Sequence, residues 1–326
     1  MVIAGGSVGA LEATLALREL AGNRVRVTLL APREEFVYRP MTVREPFSFP
    51  TARRYPLAEI AADLGAEVRR ESFGWVDAEE RVAHTDAGEA LGYDALLLLA
   101  LGARPYVSLA HVVTVDDRRI DEQLHGLIQD VEGGYVKRLA FVAPGPATWP
   151  LPLYELALMT AQRAYDTSAE LEITLITPEE RPLAVFGLGA SHAVSKLLEA
   201  AGIQMIGSAH VQVPESRHLL IHPGSRRLEV DRIVALPALL GPAIRGLPSV
   251  AHGFIPTGPD ARVRGQDRIF AAGDATDFPV KHGGIAAQQA DAAAASIAAL
   301  AGAPVTPEPF HPTIRGMLLT GGRPVT

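Results

Sequence analysis

Short apolar runs and amphipathic segments alternate along the N-terminal part of the chain. Runs typical of strands lie at residues 2–4, 24–30, 65–70, 81–85 and 93–101. Segments with the apolar spacing of a helix lie at residues 11–20 and 57–64. The last of the runs is continuously apolar and ends in a glycine turn, which is typical of a buried parallel strand. This part of the chain therefore predicts an α/β domain.

The same alternation begins again further along the chain. Strands are predicted at residues 138–143, 172–176, 203–206 and 231–236, and helices at residues 153–163 and 185–201. Residues 269–271 then predict one more strand, and an alanine-rich helix follows from residue 283. We expect two α/β domains, with the second inserted within the first. The predicted parts are residues 1–107 with 241–303, residues 108–240, and a short C-terminal segment at 304–326.

Composition narrows the classes of function. A length of 326 residues suits about two domains. The formal net charge of -7 and the lack of a basic run argue against nucleic-acid binding. The sequence has 0 cysteines, which excludes disulfides, thiolate metal sites and a redox-active dithiol. The 10 histidines show no metal-ligand spacing, so no catalytic metal is expected.

Membrane insertion is not expected from the hydrophobic pattern. The most apolar run, residues 95–101, is far shorter than the ~20 residues that span a bilayer. The chain begins directly with a predicted strand, so we expect no signal peptide. We therefore expect no integral membrane segment and a cytoplasmic location.

The turn after the first predicted strand is a candidate phosphate-binding turn. In one register the dinucleotide-binding pattern G-x-G-x-x-G becomes Gly5-x-Ser7-x-x-Ala10. The last position accepts alanine, whereas Ser7 departs from the pattern, although its hydroxyl could itself donate a hydrogen bond. A shift by one residue gives a second register with Gly6 in the middle position, and the sequence leaves both open. In this motif the backbone approaches a pyrophosphate, and the helix N-terminus stabilises its negative charge.

One usual part of that motif is missing. An acidic residue normally follows the second strand and binds a ribose hydroxyl, but Ala31 and Pro32 occupy this place. Glu34 and Glu35 are the nearest alternatives in the sequence, but the sequence favours a surface charge as the role of each.

A second candidate site lies near the end of the chain. The strand at 269–271 runs into Gly273 and Asp274, so a carboxylate follows the carboxyl end of a buried strand. Gly283 and Gly284 then open the alanine-rich helix, whose positive dipole end favours an electron-rich ligand atom.

Together the two glycine elements resemble those of the FAD-dependent pyridine nucleotide-disulfide oxidoreductase superfamily, and the branch with sulfide:quinone reductases and type II NADH dehydrogenases is most similar. The resemblance implies two Rossmann-like domains, for FAD and for NAD(P), the second inserted within the first. It also implies that bound FAD contacts the following residues: Gly5, Gly6, Ser7, Ala10, Arg39, Gly102, Gly273, Asp274, Gly283 and Gly284.

The resemblance also places two side chains at or near the flavin ring. Lys281 and His282 lie between Asp274 and the glycine pair, so they are the candidate catalytic residues. Lys281 is one of three lysines in the chain, with Lys137 and Lys196. An exposed lysine and a hydrogen-bonded loop histidine are the structural alternatives.

The second domain departs from the family pattern. Of the glycines expected after the strand at 138–143, Gly145 remains, and Pro146, Pro150 and Pro152 have no N–H to offer a pyrophosphate. Glu155 matches the acidic residue near nicotinamide in relatives, although a glutamate in the first turn also suits the helix dipole. NAD(P)H binding is therefore left open.

We predict an FAD-dependent oxidoreductase that transfers electrons through flavin without a redox-active disulfide. One alternative is an NAD(P)H dehydrogenase that reduces a quinone or small acceptor. Another is a non-catalytic, flavin-stabilised partner subunit. The expected partners are a small-molecule electron donor and acceptor, and either a homodimer or a complex with a partner redox protein is compatible with the sequence.

Overall fold

The fold is described from a computed structural model, which covers residues 1–49, 52–99, 103–106, 109–145 and 149–325. The helices are α1 Val8–Ala21, α2 Leu57–Asp63, α3 Ile120–Glu132, α4 Leu151–Asp166, α5 Leu188–Ala200 and α6 Gly283–Leu300. The first ten strands are β1 Val2–Ala4, β2 Thr28–Leu30, β3 Glu35–Val37, β4 Arg54–Pro56, β5 Glu67–Arg69, β6 Phe73–Asp77, β7 Val82–Thr85, β8 Ala90–Gly92, β9 Leu96–Leu98 and β10 Arg104–Tyr106. The remaining strands are β11 Val113–Thr114, β12 Arg138–Val142, β13 Glu172–Ile176, β14 Ile203–Ile206, β15 His210–Glu215, β16 His218–His222, β17 Arg226–Glu229, β18 Arg232–Ala235, β19 Ala238–Leu240 and β20 Ile269–Ala271.

The chain forms two compact units. Unit 1 contains residues 1–37, 53–104 and 239–313, and unit 2 contains residues 38–52, 105–238 and 314–326. Each unit has its own parallel sheet, and helices and strands alternate along the chain in both. The α/β class expected from the sequence is confirmed.

Unit 1 is built in three layers. Its parallel sheet has the order β20-β9-β1-β2-β5. Because side chains alternate along a strand, Ile3, Leu29 and Leu97 face α1 and α6, in a core with the alanines of those helices. Leu30 and Leu98 face the antiparallel strands β6, β7 and β8. This double burial explains why β1, β9 and β20 are apolar throughout.

Unit 2 has a second parallel sheet with the order β11-β18-β12-β13-β14. One core cluster joins α3 and α4 to this sheet, and it includes Val43, Phe47, Leu318 and Leu319 from outside the central segment. The antiparallel strands β15, β16 and β17 contribute to another cluster, with Val211 and Leu219.

Several predicted boundaries differ from the structure. The helix expected at 11–20 begins at Val8, and the strand expected at 24–30 is confined to Thr28–Leu30 because Gly22–Arg24 form a 3-10 turn. Similarly, the described part of the run expected at 93–101, residues 93–99, forms β9 over Leu96–Leu98, and its last two residues lie outside the described residues. The helix expected at 185–201 starts at Leu188 after a 3-10 turn.

Candidate functional site

The turn after β1 presents a helix N-terminus at the carboxyl edge of the unit 1 sheet. Gly5 has a φ of 148°, a conformation that favours glycine, and its N–H donates to the carbonyl of Leu30 over 2.9 Å. Ser7 is exposed, precedes α1, and makes no capping bond with its side chain. Since the first N–H groups of any α-helix lack intrahelical partners, this end of α1 is suited to an anion.

The backbone geometry favours the register in which Gly5 is the first glycine of the motif. Gly5 supplies the turn, and Ala10 is fully buried in the core between sheet and helix. A Cβ at Gly6 would lie 2.7 Å from Leu57 Cδ2 and 3.1 Å from the Cβ of Ala31, so the space for a side chain there is limited.

The segment after β20 places Asp274 at the same edge of the sheet. The parallel order β20-β9-β1 puts the ends of β20 and β1 two strands apart, roughly 10 Å. Gly273 has a φ of 75°, and its N–H donates to the buried Oε1 of Gln289 over 2.7 Å. The Thr276 hydroxyl donates to the Gly273 carbonyl over 2.9 Å, so the turn that carries Asp274 is held on both sides.

The N-terminus of α6 lies beside that of α1. A Cβ at Gly283 would lie 3.4 Å from Val8 Cγ1, so the first residues of the two helices are in close proximity. His282 caps α6, since its Nδ1 accepts the N–H of Gly284 over 3.1 Å. Burial lowers the pKa of His282, which favours the neutral ring. Two positive helix ends therefore meet at this edge.

Lys281 is buried within the loop that joins β20 to α6. It is 7% exposed, and its Nζ donates to the carbonyls of Thr276 and Phe278, over 2.5 Å and 2.7 Å. The same nitrogen lies 4.1 Å from the centre of the Phe254 ring. Burial lowers the pKa of Lys281 to about 8, although Asp274 and Asp277 act in the opposite direction. At neutral pH the side chain is an ammonium that holds the loop together.

For two further residues expected at the flavin, Arg39 and Gly102, the described contacts do not test the predicted role. Arg39 belongs to unit 2, where it forms an exposed ion pair with Asp117. Gly102 lies outside the described residues, as does Pro146. The contacts of Arg39 and Gly102 with a cofactor therefore stay predictions.

In unit 2, two side chains that follow the carboxyl ends of β12 and β13 form a hydrogen bond with each other. Tyr154, fully buried in the first turn of α4, donates its hydroxyl to Glu179 Oε2 over 2.7 Å. Glu179 Oε1 also accepts the N–H of Ala184 over 3.2 Å. Burial raises the pKa of both Glu179 and Tyr154. An acidic residue at this edge is the usual partner of a ribose hydroxyl, and here a tyrosine hydroxyl is bound to it.

The described residues at the start of α4 include a bulky tryptophan and two prolines. Trp149 packs edge-on against Phe186, with the ring centres 5.6 Å apart. Pro150 precedes α4 and Pro152 lies in its first turn, where prolines are well tolerated but donate no N–H. Gly145 is partly buried.

Glu155 is a buried carboxyl group covered by the C-terminal segment. It is 4% exposed, and its Oε1 accepts the N–H of Leu319 over 3.1 Å. Burial raises the pKa of Glu155 to about 8. Gly316 and Gly321 pack against other positions on the same face of α4, near Leu151 and Met159. No sequence pattern indicates this cover, because it depends on residues more than 150 positions away.

The comparisons with known proteins agree with this architecture. Residues 1–296 match the family described as pyridine nucleotide-disulphide oxidoreductase. The chain therefore belongs to this family of FAD-dependent oxidoreductases, as the sequence motifs predicted. The curated protein sequences contain no significant match.

Solved structures show the same fold at low sequence identity. The sulfide:quinone oxidoreductase from Aquifex aeolicus has a TM-score of 0.82 at 20% identity, over 91% of this chain and 75% of that one. A ferredoxin reductase from Rhodopseudomonas palustris has a TM-score of 0.73 at 18% identity, over 99% and 80% of the two chains. The putidaredoxin reductase–putidaredoxin complex gives 0.66 at 17% identity, over 91% and 75%.

The described residues show neither a membrane-spanning helix nor a group of metal ligands. None of their helices is both long enough and apolar enough to cross a bilayer. Within the same part of the chain, no three His, Cys, Asp or Glu side chains are grouped to hold a metal ion.

Proposed function

We propose that this protein is an FAD-dependent oxidoreductase that transfers electrons between a small-molecule donor and a small-molecule acceptor without a redox-active disulfide. One observation carries the proposal: the chain belongs to a flavoenzyme family, yet its sequence has 0 cysteines. A dithiol relay requires cysteine, so electrons must pass directly between flavin and substrates. When bound, FAD supplies the redox chemistry of its isoalloxazine ring.

Unit 1 is the proposed FAD-binding domain. Gly5, Gly6 and Ser7 at the N-terminus of α1 bind the diphosphate, and Ala10 permits the close packing behind them. The fit is supported by the φ of 148° at Gly5 and by the limited space at Gly6, where a Cβ would lie 2.7 Å from Leu57 Cδ2.

The β20–α6 segment is the proposed flavin side of the site. Gly273 orients Asp274, whose carboxylate accepts a hydrogen bond from the ribityl chain. The helix end at Gly283 and Gly284 stabilises negative charge on the ring. Lys281 adds a positive charge from within the loop, and His282 holds the first turn of α6.

We further infer that NAD(P)H is not the electron donor. A bound nucleotide needs free backbone donors and a free acidic group at the edge of the unit 2 sheet. Instead, Glu179 accepts the hydroxyl of Tyr154, and Pro150 and Pro152 lack N–H groups. Glu155, the candidate for the nicotinamide side together with Gly145, accepts a backbone hydrogen bond from Leu319.

The visible spectrum of the purified protein tests these proposals. We expect a yellow protein with non-covalent FAD, and loss of most of the flavin in Asp274→Ala, because a buried hydroxyl left unpaired costs about 1–3 kcal/mol. Anaerobic NADH and NADPH should reduce the flavin slowly or not at all, and sulfide should be tested alongside them. A colourless wild type that cannot be reconstituted with FAD overturns the proposal.

The same experiment separates the alternatives. Rapid stoichiometric bleaching by micromolar NADH would favour the NAD(P)H dehydrogenase that reduces a quinone or small acceptor. Failure to turn over any donor–acceptor pair would favour the flavin-stabilised partner subunit, whereas membership of an oxidoreductase family favours an enzyme. The size of the native protein, alone and with candidate redox proteins, distinguishes a homodimer from a partner complex.

A further inference from the structure

The adenosine side of the proposed FAD site lacks its usual acidic residue. In the dinucleotide-binding motif a carboxylate after the second strand binds a ribose hydroxyl. Here β2 ends at Leu30 and is followed by Ala31, which is 1% exposed. The Cβ of Ala31 lies 3.1 Å from the position that a Cβ at Gly6 would take. This place therefore adjoins the phosphate-binding turn but carries no polar side chain.

Glu71, from the neighbouring strand, is next to this place. Strand β5 pairs with β2 in parallel register, with Arg69 opposite Leu30. The N–H of Ala31 and the N–H of Glu71 both donate to the carbonyl of Arg69, over 3.0 Å and 2.9 Å. Two donors that share one acceptor must lie within a few ångströms of each other. The backbone of Glu71 therefore lies beside the position where the acidic residue is missing.

The carboxylate of Glu71 also has an unpaired buried oxygen. Its Oε2 is inaccessible to solvent and has no hydrogen-bond partner among the described residues. Burial of an unpaired polar group is unfavourable, and such groups are uncommon in native proteins unless something binds them. The nearby arginines pair elsewhere, Arg70 with Glu34 and Arg69 with Glu67.

The two glutamates nearer in sequence to β2 have a different environment. Glu34 and Glu35 are exposed, and they form surface ion pairs with Arg70 and Arg54. Surface pairs of this kind contribute little and leave no polar atom to be satisfied. Glu71 is therefore the carboxylate at this edge that gains most from a ligand hydroxyl.

We propose that the Glu71 side chain rotates toward the cofactor, takes the place of the missing acidic residue and accepts a hydrogen bond from a ribose hydroxyl of the adenosine part of FAD. The inference rests on the FAD site proposed for unit 1. It identifies a determinant of affinity for the adenosine half of the cofactor. The redox chemistry at the flavin half does not depend on it.

Titration of the apoprotein tests this role. We expect Glu71→Ala to weaken FAD roughly 10- to 100-fold, as for the loss of a charge-assisted hydrogen bond. Competition by ADP should weaken by a similar factor, whereas competition by 2′,3′-dideoxy-ADP, which has no ribose hydroxyls, should not change. Glu71→Gln, which keeps the shape, should give a smaller loss. Glu34→Gln and Glu35→Gln are the matched controls and should bind FAD as the wild type does.

Stability of the apoprotein is the second readout. Because Glu71→Ala removes an unpaired buried oxygen, the unfolding midpoint of the apoprotein should stay the same or rise while FAD affinity falls. Unchanged FAD affinity in both Glu71 variants overturns the inference, as does an equal loss for ADP and the dideoxy analogue. A wild type that binds no FAD overturns the proposed function as well, so the two failures are distinguishable.

Discussion

The buried side chain of Lys281 stabilises the loop between β20 and α6 and also brings a positive charge into that loop. Its ammonium donates to the carbonyls of Thr276 and Phe278 and lies over the ring of Phe254. These contacts favour the charged form, whereas burial opposes it and lowers its pKa to about 8. The loop therefore depends on a proton that is retained at neutral pH and lost in moderately alkaline solution.

Lys281→Met should lower the flavin reduction potential and slow reduction while FAD stays bound. The change keeps much of the aliphatic stem but removes the positive charge and the donor to two carbonyls. A buried acceptor left unpaired costs about 1–3 kcal/mol, so the free energy of unfolding should also fall. Potentiometry and denaturant unfolding measure the two effects. Lys196→Met, at an exposed lysine on α5, is the control. If both variants keep the wild-type potential and reduction rate, Lys281 has no influence on the flavin.

At the scale of elements, α1 and α6 approach each other closely near their N-terminal ends. A Cβ at Gly9 would lie 2.8 Å from Leu99 Cδ2 and 3.3 Å from the carbonyl oxygen of Ala286. Since the second neighbour is backbone, it cannot move away like a side-chain tip. A glycine is thus needed for packing at a helical position that intrinsic propensity disfavours.

Gly9→Ala should lower the free energy of unfolding by about 1 kcal/mol or more, because overpacking outweighs the gain in helix propensity. Gly126→Ala in α3 is the matched control, since nothing lies within 4 Å of its Cβ position. This control should raise the free energy of unfolding by about 0.5–1 kcal/mol. Chemical denaturation of the two variants measures both effects. Equal shifts in the same direction would contradict the packing argument.

The first turn of α1, which contains Gly9, also shows why the sequence predicted the helices better than their ends. The apolar spacing predicts α1 from residue 11, but the glycines at 5, 6 and 9 weaken the helical pattern before it. For α4, the prolines suggested a helix that begins at residue 153, but the helix begins at Leu151 because proline is tolerated in the first turn. Apolar periodicity therefore predicted the elements and their burial, and their boundaries depended on packing and local turn chemistry.

At the scale of the whole molecule, each unit is assembled from distant parts of the chain. Unit 2 combines residues 38–52, 105–238 and 314–326, and its core includes Phe47 and Leu319. The motifs pointed to the family, but they did not reveal the pairs Tyr154–Glu179 and Glu155–Leu319. Such pairs depend on which side chains the fold brings together, and that information is not periodic in the sequence.

The buried carboxyl group of Glu155 makes the free energy of unfolding depend on pH. Burial raises its pKa from an ordinary value of 4.5 to about 8, so between these values the folded state retains a proton that the unfolded state has lost. The free energy of unfolding should therefore fall as the pH rises through this interval, by at most about 1.4 kcal/mol per pH unit. The contribution of the protonated Glu155 carboxyl to the free energy of unfolding is fully present below pH 4.5 and is lost as the pH rises to about 8.

Glu155→Gln should remove this part of the pH dependence, because an amide cannot ionise but its carbonyl oxygen can still accept the N–H of Leu319. Denaturant unfolding of the apoprotein at mildly acidic and mildly alkaline pH measures the slope. Glu199→Gln, at an exposed position on α5 in the same unit, should keep the wild-type slope. The burial argument fails if Glu155→Gln loses as much stability with rising pH as the wild type does.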